Sequence, residues 1–416
     1  MISIEDVFQA YYICRKNKRS TESAIEFEVN YEENCIDIWR EINDRIYEPS
    51  KSIAFIVYKP RIREIFAANF RDRIIHHLID MKIRPLLEED FIEKTCNNRI
   101  GKGTSKCVEY LYNDIKYVSN NYSRDCYVCK MDMKGFFMSI RKDILTERIL
   151  DYIDANYFYE DKEDIKWLID VTVNDNPEQH CKLRSPLKAW KKLDKNKSLF
   201  FLGDTQGLPI GNLISQLLAN FYLNEFDHYV TEILGFVHYG RYVDDFYIVS
   251  ENKEDILNAI PFMRSKLNEI GIELHKNKFY IQHYKNGIEF VGSVIKPNRI
   301  YVHNRTVYNA FKAVEEINKM ECTYENIPKF LAKINSYLGF MKSKQSYAIR
   351  RNLLKSLNDT WWSIIYVRPN FCKVILRKKF NERDIIRENI KKISNKNIKR
   401  RNGKSKYYKR KAKSSS

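Results

Sequence analysis

No stretch of about 18 apolar residues occurs in the 416-residue chain, so a membrane span is not expected. The first twenty residues, "MISIEDVFQAYYICRKNKRS", lack the apolar centre of a secretory leader and place Glu5 and Asp6 early. A secreted product is therefore not expected. Nine cysteines are scattered without a disulfide-like framework, and their odd number fits reduced thiols. One CxxC, Cys126 and Cys129, has no second Cys or His pair near it in sequence. It reads as two small buried strand residues rather than half of a zinc site. No internal repeat is present. Residues 391–416 contain no Asp or Glu.

What that last stretch does contain is twelve Lys and Arg, two-thirds of the net charge of +18. The remainder of the chain is basic as well, and such a surplus points to a polyanionic partner. Its length exceeds one ordinary domain. Residues 1–48 show helical periodicity in "IEDVFQAYYI" and "NCIDIWREINDRIY". Alternating and β-branched residues in "EPSKSIAFIVYKPRIREIFAA" predict strands with a Pro-marked turn. "RDRIIHHLIDMKIRPLLEEDF" predicts a helix, on which His76 and His77 read as packing residues. A short buried strand follows in "CYVCKMDMKGFFMSI". Residues 142–200 read as helical with long charged stretches, and a loop then leads into the helix of "LPIGNLISQLLAN". The remainder predicts a hairpin, a helix, short strands, helices over 305–365 and a basic tail. The pattern predicts an α+β fold with helices packed on a sheet.

The stretch "GRYVDDFYIVS" sets two like charges, Asp244 and Asp245, between apolar arms. Asp suits a hairpin turn on its own account. A third carboxylate, Asp132, ends the strand in "KMDMKGFF", and the two strands are candidates to be neighbours in one sheet. Converging carboxylates repel unless a cation lies among them. Magnesium takes oxygen ligands and shares its shell with phosphates. Two such ions roughly 3.5 to 4 Å apart are a known device for phosphoryl transfer.

Taken together, these motifs resemble a reverse transcriptase, over about residues 10–365. Asp132 resembles the first catalytic motif, and Tyr242 to Asp245 the second. "LHKNKFYI" and "IEFVGSV" resemble the Lys-bearing motif and the primer grip, and "YKPRIREIFAANFRDRIIHHLI" the basic fingers segment. A narrower resemblance is to the enzymes of diversity-generating retroelements. Many reverse transcriptases carry Gln-Gly and then Ser-Pro in the loop before the long helix. Here Ile210, Gly211, Ser215 and Gln216 hold the matching positions. "RDRIIHHL", "GKGTS" and "INSYLGFMKSKQSY" also resemble that family.

The resemblance implies a right-hand polymerase fold, with fingers and palm around an antiparallel sheet and a helical thumb after it. The expected division is an N-terminal helical extension over 1–48, fingers and palm over 49–300, thumb over 301–370 and basic tail over 371–416. It further implies an RNA-directed DNA polymerase in the cytoplasm of a bacterium or encoded by a phage, using two magnesium ions and dNTPs. The implied partners are template RNA, the cDNA/RNA duplex, target DNA and a small basic accessory protein. Asp132 and Asp244 would ligate both ions, with Asp245 more peripheral and the carbonyl of Met133 completing a shell. Phe137 would exclude a ribose 2′-hydroxyl. Lys59, Arg63 and Arg71 are candidates for the triphosphate, or equally for template phosphates, and Lys278 would lie near the leaving pyrophosphate.

Ile210 offers van der Waals contact where Gln would hydrogen-bond. Apolar selection separates close competitors by only about 1–3 kcal/mol. The expected consequence is looser nucleotide selection, and the resemblance implies misincorporation at template adenines; the rival reading makes Ile210 core beneath the helix. Lys312, Lys319, Lys329, Lys333, Lys342 and Lys344 would form a thumb face tracking duplex backbone. In the tail, Tyr407 and Tyr408 among basic residues suit RNA contact. The alternatives are another bacterial reverse transcriptase, of the phage-defence, retron or group II intron kind, or a catalytically silent RNA-binding scaffold.

Overall fold

The strand Tyr127–Asp132 lies inside a four-stranded antiparallel sheet. It pairs with Asp245–Ser250 on one side and Tyr280–His283 on the other. Tyr239–Tyr242 adds the outer strand beside Asp245–Ser250. This is a computed structural model, describing residues 1–16, 21–58, 61–275 and 279–377. The apolar run Phe246 to Val249 is wholly buried, as expected of a strand covered on both faces. The helix Thr104–Val118 packs on both strands of the Tyr239–Ser250 hairpin. At Gly240, directly opposite Tyr247, an added Cβ would lie 2.6 Å from the Tyr247 hydroxyl. The glycine therefore lets that ring lie flat against its partner strand. Tyr247 in turn donates to Asp114, which also accepts from Lys94 and contacts His238.

The chain divides into two units between Val291 and Gly292. In the first, the N-terminus forms three helices where the sequence suggests two: Ile4–Arg15, Glu22–Glu28 and Tyr31–Asn43. The middle one is only two turns long, too short to show periodicity. It forms because the Thr21 hydroxyl accepts from the Ala24 amide while Ala24 and Phe27 are buried. The predicted helix with the two histidines spans Phe70–Asp90, and His76 is buried in it. It packs against the helix Leu213–Tyr222. Cys126 and Cys129 are both buried, and burial pushes each thiol up to about 12.

A second sheet pairs Ile53–Val57 antiparallel with Arg63–Ala67, and Lys182–Leu183 joins parallel to the former. The expectation of helix through residue 200 fails here. Helices Lys142–Asn156 and Lys162–Asn174 form, but from Pro177 onward only single turns and short strand pieces follow. Pro177 and Pro186 interrupt the backbone ladder. The segment instead tucks Ala189, Trp190, Leu193 and Leu199 against Ala54, Ile56 and Phe66. Its anchor is the buried Glu64, whose carboxylate accepts from Trp190 Nε1 (2.6 Å), Ser198 Oγ (2.7 Å) and the Leu199 amide (2.8 Å).

The second unit begins with the hairpin Ser293–Lys296/Arg299–Val302. Helices Asn304–Asn318, Ile327–Met341, Tyr347–Lys355 and Asp359–Ile364 follow, then a small hairpin, Ile365–Val367/Val374–Leu376. Trp361 is fully buried at its centre, stacked on Phe330 at 4.4 Å, and donates to the Ile317 carbonyl. One residue of the proposed basic face departs from expectation. Lys344 is buried, lies 3.7 Å from the Phe340 ring centroid and donates to the Phe340 carbonyl. Burial pushes its pKa down to about 8. Lys333 pairs with Glu316, whereas Lys312, Lys319, Lys329 and Lys342 are exposed. Among the described residues, no helix is long and apolar enough to cross a membrane.

Trp361→Ala is expected to cost the second unit about 3–5 kcal/mol, the usual range for emptying a core aromatic site. Thermal unfolding of the full chain checks this, and an unshifted midpoint would contradict the packing role.

Candidate active site

Asp132 is the last residue of its strand and stands directly opposite Asp245 in the antiparallel register. The sequence suggested that these two strands are neighbours, and they are. Asp244 occupies the two-residue turn between Tyr242 and Asp245. Its carbonyl accepts from the Met133 amide at 3.3 Å, which ties the turn to the residue after Asp132. Burial, then Asp245, then Asp132 push the Asp244 carboxyl up to about 6. Arg63 opposes that shift from the neighbouring sheet. Three carboxylates thus share one electrostatic neighbourhood.

The turn itself is strained. Val243 has φ +60°, a region that a β-branched residue enters only under constraint. Both of its peptide groups are held. Asn97 Oδ1 accepts from the Val243 amide at 3.0 Å, and Arg241 Nη1 donates to its carbonyl at 3.1 Å. Arg241 has no exposed side-chain surface, and neither does its partner Asp227. Asp227 accepts Arg241 through both Nε and Nη2, the latter at 2.5 Å, and also takes the hydroxyls of Thr95 and Tyr239. Asn220 completes the network, donating to the Asn97 carbonyl at 2.7 Å and accepting from Arg241. The sequence reading missed all four of Arg241, Asp227, Asn97 and Asn220. Its one available signal was a lone Arg inside the apolar strand "HYGRYV".

The other sequence candidates lie in several places. Met133 is buried, and Phe137 is half-buried with its ring 5.4 Å from that of Phe136. Phe137 also accepts the Leu208 amide through its carbonyl (2.9 Å), which joins it to the loop leading to Ile210. Ile210 is half-buried against the Ala54, Ile56 and Phe66 cluster rather than sealed beneath the helix. Its carbonyl accepts from the Phe66 amide at 3.0 Å. At Gly211, φ is +122° and a Cβ would lie 2.8 Å from Ile65 Cγ2, so glycine is required there. Gln216 is exposed in the first turn of the following helix. Arg71 is committed elsewhere: it ion-pairs with Glu41 and Asp72, donates to the Glu48 carbonyl and lies over the Tyr47 ring. Lys59, Lys278 and the tail residues Tyr407 and Tyr408 lie outside the described residues.

The donor set fits a hard divalent cation in its chemistry, being all carboxylate oxygen with a raised Asp244. Among the described residues, however, no group of three or more His, Cys, Asp or Glu side chains is arranged to hold a metal ion. The backbone register brings the carboxylates to one place, and side-chain rotation would have to complete the shell.

Residues 57–295 match the model of the family described as reverse transcriptase (RNA-dependent DNA polymerase). No curated protein matches the chain. Among solved structures, apo telomerase from Candida tropicalis is similar at 14% identity and TM-score 0.47, over 79% of this chain and 62% of that one. Telomerase from Candida albicans in complex with a fragment of telomeric RNA is similar at 11% identity and TM-score 0.46, over 80% and 59%. This chain spans about three-fifths of the length of those telomerase chains.

Two outcomes follow from the geometry. In metal-free protein, Asp244 binds its proton more tightly folded, at about 6, than at its ordinary 3.8. Stability is therefore expected to fall as pH rises from 4 through 6. Asp244→Asn should lessen that fall, to which Glu64 and Asp72 also contribute, and unfold at a higher temperature than wild type at pH 8. Equal midpoints at pH 8 would contradict the raised pKa. Asp227→Asn leaves Arg241 buried without a counter-charge and is expected to cost about 3–5 kcal/mol, read by denaturant unfolding.

Proposed function

The chain belongs to the reverse transcriptase family, and on that premise we propose that it extends a DNA primer along an RNA template, with Asp132, Asp244 and Asp245 as its catalytic carboxylates. The observation that carries this reading is the register of Asp132 opposite Asp245, with Asp244 raised by burial and by both neighbours. Asp132 and Asp244 would hold two magnesium ions, and Asp245 would support them from the adjacent strand position. Magnesium bound there would acidify the primer 3′-hydroxyl and neutralise the triphosphate. The 3′-oxygen joins the α-phosphorus as the bond to pyrophosphate breaks, in a site whose turn is already fixed by Asn97 and Arg241. Arg63, the cation nearest in effect to Asp244, would face the triphosphate. Phe137, half-buried and braced by Phe136, would exclude a ribose 2′-hydroxyl by bulk.

We further propose that the product is error-prone cDNA for targeted gene diversification, made with a small basic accessory protein and delivered to a target DNA. Support comes from Ile210, which presents part of an apolar side chain where a hydrogen-bonding residue would discriminate better. The same half-burial against Phe66 also suits an accurate bacterial reverse transcriptase, in which Ile210 is packing alone.

Primer extension on a defined RNA with magnesium and all four dNTPs tests both levels. Asp244→Asn with Asp245→Asn is expected to reduce extension at least about a thousandfold, the scale of losing several kcal/mol of charge stabilisation. Retained extension would remove the carboxylate assignment. In sequenced cDNA, errors should concentrate opposite adenine, and Ile210→Gln should lower them up to about tenfold. Accurate wild-type copying would leave the polymerase and remove the diversifying role.

A further inference from the structure

The charge of this chain is concentrated in two places. Residues 391–416 carry twelve of the net +18, and the sixteen residues 182–197 carry a further six, seven cations against Asp194 alone. The rest of the chain is electrically balanced. Lys182, Arg184, Lys188, Lys191, Lys192 and Lys195 are all exposed. Among the described residues, only Lys197 of the seven is in an ion pair, with Asp194. Like charges at this density repel, and folding gains little from them beyond ring contacts of Arg184 with Phe55 and Lys195 with Phe201. The fold nevertheless fixes the segment firmly. Trp190, Ser198 and Leu199 all bond the buried Glu64 carboxylate, and Ala189, Leu193 and Leu199 fill an apolar cluster. The segment also reaches the turn that follows the Asp132 strand: a Cβ on Gly135, three residues after Asp132, would lie 3.9 Å from the Asn196 carbonyl. Exposed Leu187 and Phe201 stand among the cations, and Lys195 lies 5.5 Å from the Phe201 ring centroid.

We propose that residues 182–201 form a platform that binds the phosphate backbone and bases of the single-stranded template RNA as it approaches the catalytic carboxylates. The inference rests on the polymerase reading for the identity of the strand. A triphosphate occupies two or three cations, whereas cations spread along sixteen residues match a polymer of phosphates. The exposed Phe201 ring beside Lys195, with Leu187 among the cations, suits unpaired bases, which stack, more than duplex, whose bases are closed. Rigid anchorage through Glu64 lets the charges meet the strand without ordering a loop first.

The test compares full-length wild type with Lys188→Ala/Lys191→Ala/Lys192→Ala, and with the same three positions changed to Arg. Binding is measured to two labelled primer–templates, one with a long single-stranded RNA overhang and one blunt, across a salt series. The Ala variant should bind the overhang substrate about tenfold more weakly near 0.1 M salt, with a log–log salt slope shallower by about 2, as three lost single-strand contacts require. Blunt-duplex affinity should be held, and the Arg variant should keep the wild-type slope. Equal weakening on both substrates, equal loss in the Arg variant, or full RNA affinity with a raised KM for dNTP would each overturn the proposal; so would no change at all. Because binding is read without extension, a wild type that fails to extend primers would count against the polymerase reading separately.

Discussion

A guanidinium and a carboxylate, both without exposed surface, hold the candidate active site in place. Arg241 and Asp227 are joined through two nitrogens, and every other polar group near them is engaged: Thr95, Tyr239, Asn220 and Asn97. Burying such a pair contributes little net stability compared with an apolar core. Its effect is on geometry. One arm of the guanidinium reaches the Val243 carbonyl, so the position of a charge pair deep in the fold sets the position of the turn that carries Asp244. Helix, loop and hairpin meet there, since Asp227 comes from the chain after the long helix, Asn97 from a loop and Arg241 from the strand.

The same logic of one buried carboxylate organising a neighbouring segment recurs at Glu64. Three donors from residues 190–199 converge on it, and burial raises its pKa while those donors oppose the rise. In each case a buried acidic side chain inside the protein specifies where a piece of irregular backbone lies. Irregular backbone has no ladder of its own to do so. The two sites differ in what they serve. Arg241 and Asp227 fix a turn that bears the candidate catalytic carboxylates, whereas Glu64 fixes a surface whose side chains point to solvent.

The carboxylates were legible because their spacing and flanking residues carry the chemistry locally: an Asp ending an apolar strand, and two Asp in an apolar hairpin. Strand adjacency then followed from the α+β pattern. Three features were not legible. Arg241 reads in sequence as one more charge beside the motif, because burial is a tertiary property. Lys344 was counted on an exposed basic face, yet a neighbouring aromatic ring covers it. Residues 177–200 carry helix-forming Lys, Leu and Ala but are held in single turns by prolines and by contacts to Glu64 that are over a hundred residues away in sequence. For residues 177–200, local propensity lost to long-range partners.

Val243 has a consequence for anyone who would harden this protein against heat. A valine at φ +60° is the kind of position that a screen for stability finds first, because glycine there relieves the backbone at once. Here the tension and the aim of Asp244 are the same thing. A turn relaxed in this way would no longer be pulled taut between Asn97 and Arg241, and the gain in melting temperature would be drawn from the alignment of the chemistry. The route to a hardier protein lies in substitutions that leave this turn as it is.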